Sequence, residues 1–189
     1  AKLKRMRNLE VAEIVDQVAL IDRQSKEYFD RPLTNIVFMG MGEPMMNYKN
    51  VVEAIHKITK PEGLGMSPRR ITVSTSGIPK MIKMLADEEI KVKLALSLHS
   101  AIEHKRNDIM PFSEKFPLTD IMDSLQYWYQ KTGSPITFEY CVWKGINDGD
   151  DDIKALIRYC RQVKVEHQKL GGLSQDINIP TWKWEGLNM

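Results

Sequence analysis

The alternation of helix-like and strand-like segments constrains the fold of this chain more than any other feature. Apolar residues recur at helical spacing in several segments, and short apolar or β-branched runs separate them, so the predicted order is α-β-α-β-α-β-α-β-α. Strands separated by helices imply right-handed βαβ units and a parallel sheet or barrel. We therefore predict an α/β fold in which the carboxyl ends of all strands share one face, where such folds bind ligands.

The apolar runs and their flanking residues set the predicted boundaries. Helices are predicted after the N-cap residues Asn8 and Asn47, from Ile78, over residues 118–129 and from Asp150. The predicted strands are residues 35–39, 70–74, 91–98 and 136–142. The first strand is an unbroken apolar run, which predicts burial on both faces. The charged segment before residue 118 is predicted as a loop, and Lys164 and Val165 could open a further strand.

Composition and cysteine usage exclude several classes of protein. No apolar run approaches the roughly 18 residues of a membrane span, and no signal-peptide pattern opens the chain, so we expect a cytoplasmic protein without membrane contact. Cys141 and Cys160 are far apart and not in metal-ligand spacing, which favours two small core residues over a disulfide or a metal site. The net charge of +2 says little about nucleic acid.

Three predicted strands end in small and polar residues, which should cluster at one edge of the sheet. These ends are Gly42-Glu43, Ser74-Thr75-Ser76 and Ser97-Leu98-His99. Glycine lets a ligand approach the backbone, and Pro44 ends strand pairing, so Glu43 is left where it can receive an ammonium group. A surface glutamate in a loop is the alternative interpretation for Glu43, helix N-caps are the alternative for the serines, and a core histidine is the alternative for His99.

These strand ends belong to longer motifs that follow one another along the chain. The motifs are Asn35-Ile-Val-Phe-Met-Gly-Met-Gly-Glu-Pro44, Arg69-Arg-Ile-Thr-Val-Ser-Thr-Ser-Gly77, Leu94-Ala-Leu-Ser-Leu-His99, Arg106-Asn-Asp-Ile-Met-Pro111, Phe138-Glu139-Tyr140 and Gly145-Ile-Asn-Asp148. Together with Arg7-Asn8-Leu9 and Glu13-Ile14-Val15, they resemble the radical S-adenosylmethionine (SAM) RNA methyltransferases of the RlmN and Cfr type. The similarity runs from about residue 4 to Val165.

The resemblance implies a partial (βα) barrel of the radical SAM type, here without its first strand and cluster loop. Such proteins bind S-adenosyl-L-methionine beside a [4Fe-4S] cluster. They methylate carbon 2 of an adenine in 23S ribosomal RNA, and often in some transfer RNAs, whereas related resistance enzymes methylate carbon 8 of the same adenine. The partners implied for this chain are therefore 23S rRNA and tRNA, and we expect it to act as a monomer.

The resemblance also implies which residues contact the cofactor. Gly42 and Glu43 would meet the amino group of its methionine part. Ser74, Ser97, Leu98 and His99 would contact its carboxylate, its ribose or its adenine side. The hydrogen-bonding capacity of these side chains agrees with the assignment. A carboxylate can accept from an ammonium group, and hydroxyls and an imidazole can bind ribose and carboxylate groups. No catalytic residue and no metal ligand is assigned within the chain.

Two departures from the family limit the prediction. The Cys-x-x-x-Cys-x-x-Cys motif that holds the cluster is absent, and three thiolates cannot come from Cys141 and Cys160. The family pattern also ends near Val165, so residues 1–165 are predicted as the barrel core and residues 166–189 as a divergent tail. We therefore expect the chain alone to be inactive. A degenerate barrel without chemistry, or a radical SAM enzyme with another substrate, are the alternatives.

Basic residues provide weaker candidates for RNA contact. They are Lys2, Lys4, Arg5, Arg7, the pair Arg69-Arg70 and the pair Lys105-Arg106. Such side chains can neutralise phosphates of an RNA substrate, although charged runs are more commonly solvated surfaces. Asn178 and the tryptophans Trp182 and Trp184 lie in the predicted tail, and no role is assigned to them.

Overall fold

The computed structural model describes residues 7–39 and 42–169, the last six of these by their backbone alone. Its centre is a parallel sheet with the strand order β1-β2-β3-β4, as the alternating pattern predicts. The strands are β1 (Ile36–Phe38), β2 (Ile71–Thr75), β3 (Lys93–Ser97) and β4 (Ile136–Glu139). Each strand pairs with the next one in sequence, and all pairs are parallel. All four carboxyl ends therefore lie along one edge of the sheet.

Helices connect the strands and cover the sheet. They are α1 (Val11–Phe29), α2 (Tyr48–Thr59), α3 (Pro79–Asp87), α4 (Glu103–Ile109), α5 (Leu118–Thr132) and α6 (Asp150–Lys169). Short 3-10 turns precede α2, β2 and α5. In the described part of the chain, no helix is both long and apolar enough to cross a membrane.

The core lies between the sheet and its helices. Ile71, Val73, Leu94 and Leu96 are fully buried, and so are Ile121 and Leu125 of α5. Gly77 lies directly against the side chains of Ile121 in α5 and Leu96 in β3. A Cβ atom there would lie 2.8 Å from Ile121 Cδ1 and 3.0 Å from Leu96 Cδ1. With φ at +96°, this backbone conformation also favours glycine.

The first helix begins later than predicted. Its N-cap is Glu10 and not Asn8, because Glu10 and Glu13 form a reciprocal capping box. Arg7 forms a bidentate ion pair with Glu13. This bond, followed by the backbone N–H of Glu10, lowers the pKa of Glu13 to about 2. Asn47 does precede α2, but its side-chain amide donates to the Leu9 carbonyl instead of capping that helix.

The prediction that the first strand is buried on both faces is wrong. Within the described residues, β1 pairs only with β2, and the side chain of Val37 is 51% exposed. An apolar run without alternation indicates a buried strand only where both faces are covered. The prediction of a loop before residue 118 is also wrong in part, because α4 lies there. Its inward residue is Arg106, a side chain that does not mark a buried face in the sequence.

The predicted strand at Lys164 and Val165 is wrong, since α6 continues without a break to Lys169. The predicted boundary after residue 165 therefore falls within a helix, and it stays a prediction. Residues 170–189, including Asn178, Trp182 and Trp184, lie outside the described residues. So do Gly40, Met41 and the basic residues Lys2, Lys4 and Arg5.

Candidate cofactor-binding site

The carboxyl edge of the sheet brings the predicted site residues together. Gly42 and Glu43 follow β1, Ser74 lies in β2, Ser97 ends β3, and Leu98 and His99 come directly after it. The parallel register explains this arrangement, because Ser74 pairs with Ala95 and Ser97 pairs with Glu139. Residues far apart in sequence thus form one polar edge.

Glu43 joins the end of β1 to the end of β2. Its Oε2 accepts hydrogen bonds from the backbone N–H of Ser76 at 2.7 Å and from the Ser76 hydroxyl at 2.6 Å. Its Oε1 accepts from the backbone N–H of Met45 at 3.0 Å, which caps the 3-10 turn before α2. Gly42 precedes it with φ at +149°, and no atom of the described residues lies within 4 Å of a Cβ built there. The backbone is therefore open to close approach beside this carboxylate.

Glu139 forms a second carboxylate centre at the end of β4. Its Oε2 accepts from the hydroxyls of Ser74 and Ser97, each at 2.8 Å. The two hydroxyl oxygens lie 3.5 Å apart. The backbone carbonyl of Glu139 also accepts from the N–H groups of Leu98 and His99. Both serines predicted to contact the cofactor are thus oriented by one residue, Glu139, whose role the sequence pattern does not indicate.

Arg106 supports this edge from within the protein. Its guanidinium is fully buried and donates to the carbonyls of Leu98, at 3.2 Å, and of Ser76, at 2.5 Å. A longer bond of 3.4 Å reaches the carbonyl of Ser97. Nη1 has no hydrogen-bond partner among the described residues. Burial lowers the pKa of Arg106. One side chain of α4 therefore ties the ends of β2 and β3 together.

Leu98 packs in the core, and His99 is held in place by a hydrogen bond from the loop after β4. The Leu98 side chain is fully buried in the core. His99 has φ at +56°, and its Nδ1 accepts from the backbone N–H of Cys141 at 3.1 Å, so a neutral ring carries its proton on Nε2. Burial lowers the pKa of His99, and Arg106 acts in the same direction, whereas Glu139 opposes it. A neutral His99 can offer a ligand its Nε2–H.

Asn147 holds the loop after β4 against His99. Its side-chain amide donates to the carbonyls of His99 and Cys141, at 2.7 and 2.8 Å, and its Oδ1 accepts from the Trp143 N–H. The Trp143 ring meets the His99 ring edge-on, with centroids 5.7 Å apart. Asn147 is 1% exposed and anchors the loop, whose neighbouring residues 141–146 are exposed.

An open cavity of about 470 Å³ lies between α1 and β1 and reaches the Glu43 carboxylate. Phe38 and Met39 supply apolar walls, while Arg7, Asn47 and Glu43 supply polar groups. Its position beside the unpaired side of β1 explains why Val37 and Met39 are more than half exposed.

The electrostatics of the edge suit a cationic ligand. Among the described residues, neither Glu43 nor Glu139 forms an ion pair with a lysine or arginine. S-Adenosylmethionine carries an ammonium and a sulfonium cation together with a ribose diol. Two unpaired carboxylates with associated hydroxyls supply acceptors for such groups. The chemistry of these residues therefore fits the cofactor.

The described residues do not fit a [4Fe-4S] cluster. In residues 7–39 and 42–163, no three His, Cys, Asp or Glu side chains are grouped so as to hold a metal ion. Cys141 is exposed, which contradicts its prediction as a core residue, and Cys160 is partly buried in α6. The exposure follows from the early end of β4 at Glu139, which leaves Cys141 in the following loop.

Among the described residues, the basic candidates for RNA contact do not share one surface. Arg106 is buried, and Lys105 forms an ion pair with Asp152 at 2.7 Å. Arg69 and Arg70 lie before β2, at the opposite edge of the sheet from the polar site. The contacts of these side chains were not visible in the sequence, because a pair of basic residues looks the same whether it is buried or solvated.

Comparison with known proteins identifies close relatives. No protein-family profile matches the chain. The chain is 66% identical over 163 residues to a protein of Flavobacterium psychrophilum named "Probable dual-specificity RNA methyltransferase RlmN". The match covers 86% of this chain and 47% of that protein. A Thermus thermophilus protein of the same name is 40% identical over 181 residues, 95% of this chain and 48% of that protein.

A solved structure is similar as well. The crystal structure of a radical SAM methyltransferase from Sphaerobacter thermophilus superposes with a TM-score of 0.80 at 39% identity, over 82% of this chain and 46% of that one. The predicted resemblance to RlmN-type enzymes and the predicted partial-barrel fold are both confirmed. The chain spans about half the length of the curated relatives it matches.

Proposed function

We propose that this chain is the S-adenosylmethionine-binding core of a radical SAM RNA methyltransferase that methylates carbon 2 of an adenine in 23S rRNA and in tRNA. The observation that carries the proposal is the 66% identity over 163 residues to a protein named as a probable dual-specificity RNA methyltransferase. That name supports RNA as the substrate. Carbon 2, 23S rRNA and tRNA are what the resemblance to RlmN-type enzymes implies, and they are part of this proposal.

In this proposal the cofactor lies along the carboxyl edge of the sheet. Glu43 receives its ammonium group beside Gly42, where the backbone is open. Ser74 and Ser97 contact the nucleoside part. Leu98 and His99 are the remaining cofactor-binding residues of this proposal. Support comes from the hydrogen bonds that hold both carboxylates in place across neighbouring strands.

Reductive cleavage of the cofactor in radical SAM enzymes needs a [4Fe-4S] cluster held by cysteine thiolates. The sequence contains two cysteines, so we propose that these 189 residues alone do not transfer a methyl group. We also propose that residues 1–165 form the core, that residues 166–189 diverge, and that the protein acts as a monomer in the cytoplasm.

Cofactor binding is tested by calorimetry with S-adenosylmethionine and the 189-residue chain. We expect saturable binding, weakened by Glu43→Gln, since a neutral amide no longer attracts the ammonium. The matched control is Glu62→Gln, an exposed glutamate in the turn after α2. Binding that is unchanged by Glu43→Gln would remove Glu43 from the site.

The reaction is tested with the product of the complete coding sequence around these residues, reconstituted with iron and sulfide without oxygen. We expect 2-methyladenosine in 23S rRNA and tRNA transcripts, identified by mass spectrometry of the digested RNA. Formation of 8-methyladenosine instead would contradict the carbon-2 assignment. Cofactor binding without RNA methylation would favour a non-catalytic barrel.

A further inference from the structure

Glu139 is a half-buried carboxylate without a charge partner in the described part of the chain. Its Oε2 accepts from Ser74 and Ser97, and no hydrogen bond to its Oε1 is formed by a described residue. A carboxylate can accept several hydrogen bonds, so Oε1 retains the capacity to bind a donor. An anionic group held rigidly by two serines, yet incompletely satisfied, is suited to contact a ligand.

The number of protons determines what the two serines can offer. A serine hydroxyl has one proton, and both Ser74 and Ser97 direct theirs to Glu139. Their oxygens therefore present only lone pairs to a ligand. The cluster of Glu139, Ser74 and Ser97 is a set of acceptors, which favours a ligand group that donates hydrogen bonds and disfavours a carboxylate.

The position of this cluster selects among the donor groups of the cofactor. Ser74 binds Glu139, whereas Ser76 binds Glu43. Two residues of chain span no more than about 7 Å, so the two carboxylates flank the end of β2. One extended ligand can thus reach both, with its ammonium at Glu43 and a different donor at Glu139. A vicinal diol offers two donors to one carboxylate and its serines.

We propose that Glu139 contacts the cofactor directly and binds the ribose diol of S-adenosylmethionine, with Ser74 and Ser97 as additional acceptors. This inference rests on the proposed cofactor site, and it narrows the role of both serines to the ribose. Contact between these serines and the methionine carboxylate is excluded as long as Glu139 holds their protons.

Calorimetry with two ligands tests the inference. The ligands are S-adenosylmethionine and its 2′,3′-dideoxy analogue, and the proteins are the full chain, Glu139→Gln, Glu43→Gln and the exposed control Glu114→Gln. In the unmodified chain we expect loss of the diol to weaken binding about tenfold. Glu139→Gln should weaken S-adenosylmethionine about tenfold and the analogue less than about twofold. Glu43→Gln should weaken both ligands equally, and Glu114→Gln should change neither.

The outcomes separate this inference from the proposed function. If the unmodified chain binds both ligands equally, the diol contact is overturned while the cofactor site stands. If Glu139→Gln weakens both ligands by the same factor, Glu139 does not contact the diol. If the unmodified chain binds neither ligand, the cofactor site is overturned and this inference falls with it. Should Glu139→Gln fail to fold, Glu139→Asp takes its place: the shorter carboxylate should weaken S-adenosylmethionine more than the analogue, and equal weakening of both would overturn the contact.

Discussion

Glu43 holds Ser76 by two hydrogen bonds to one carboxylate oxygen, at 2.7 Å from the backbone N–H and 2.6 Å from the hydroxyl. The two residues are 33 positions apart and follow adjacent parallel strands. The carboxylate therefore has a structural role in addition to its proposed role with the cofactor, because it joins the end of β1 to the end of β2.

The structural role of Glu43 is testable without any ligand. Glu43→Gln replaces one acceptor oxygen by an amide group that cannot accept, so the bonds to Ser76 and Met45 cannot all be kept. We expect the free energy of unfolding to fall by about 1–2 kcal/mol, measured by urea denaturation. Glu62→Gln, in an exposed turn, should leave it unchanged. Equal stability of Glu43→Gln and the unmodified chain would contradict the structural role.

Arg106 should be irreplaceable by lysine. Its planar guanidinium reaches the carbonyls of Ser76, Leu98 and Ser97 together, and a lysine ammonium cannot reproduce that fork. Because the side chain is fully buried, we expect Arg106→Lys to cost about 2–4 kcal/mol in the free energy of unfolding. The matched control, Arg158→Lys on the exposed surface of α6, should cost about 0.5 kcal/mol or less. Similar stabilities for the two variants would contradict the role of Arg106 in holding the ends of β2 and β3 together.

Gly77 and Gly133 separate two costs of adding a methyl group. Both have positive φ, but a Cβ at Gly77 would meet Ile121 and Leu96, whereas no part of the described chain lies within 4 Å of one at Gly133. Gly133→Ala should therefore cost only the backbone strain, about 1 kcal/mol. Gly77→Ala adds overpacking and should cost about 1–3 kcal/mol more. Thermal unfolding of both variants measures the difference, and equal costs would rule out the close approach.

His99 should make stability depend on pH. Because burial lowers its pKa in the folded chain, the unfolded state binds a proton more readily. Its contribution to stability is complete above the unfolded pKa of about 6.5 and is lost as pH falls below it. We expect the melting temperature to decline less between pH 7 and pH 5 in His99→Gln than in the unmodified chain, while His104→Gln, at an exposed histidine, keeps the full decline. A His99→Gln profile parallel to that of the unmodified chain would exclude His99 as the source.

The boundaries of the regular elements were predictable where the apolar pattern agreed with its surroundings. The strand at residues 91–98 and the helix at residues 118–129 match β3 and α5 closely. Gly133 ends α5 in a left-handed conformation, as its position after the apolar pattern predicts. The helix α4 was missed because its buried residue is an arginine, whose hydrogen bonds go to carbonyls that only the folded chain brings near.

Part of the candidate site was also predictable. Glu43, Ser74, Ser97 and His99 were identified because parallel strands must bring their carboxyl ends together. The roles of Glu139, Arg106 and Asn147 were not, although Glu139 lies in a motif that the resemblance included. Its importance depends on two serines, 65 and 42 residues away, whose distance from it the sequence does not contain.

The sequence by itself determined the alternating order of elements, the parallel sheet and the set of polar residues at its carboxyl edge, because periodicity and strand direction are local properties. Only the tertiary structure decided how those residues are used. It paired Glu43 with Ser76 and gave the protons of Ser74 and Ser97 to Glu139. It also buried Arg106 beneath the strand ends. The physical reason is that each of these hydrogen bonds joins separate elements, and its direction follows from their packing.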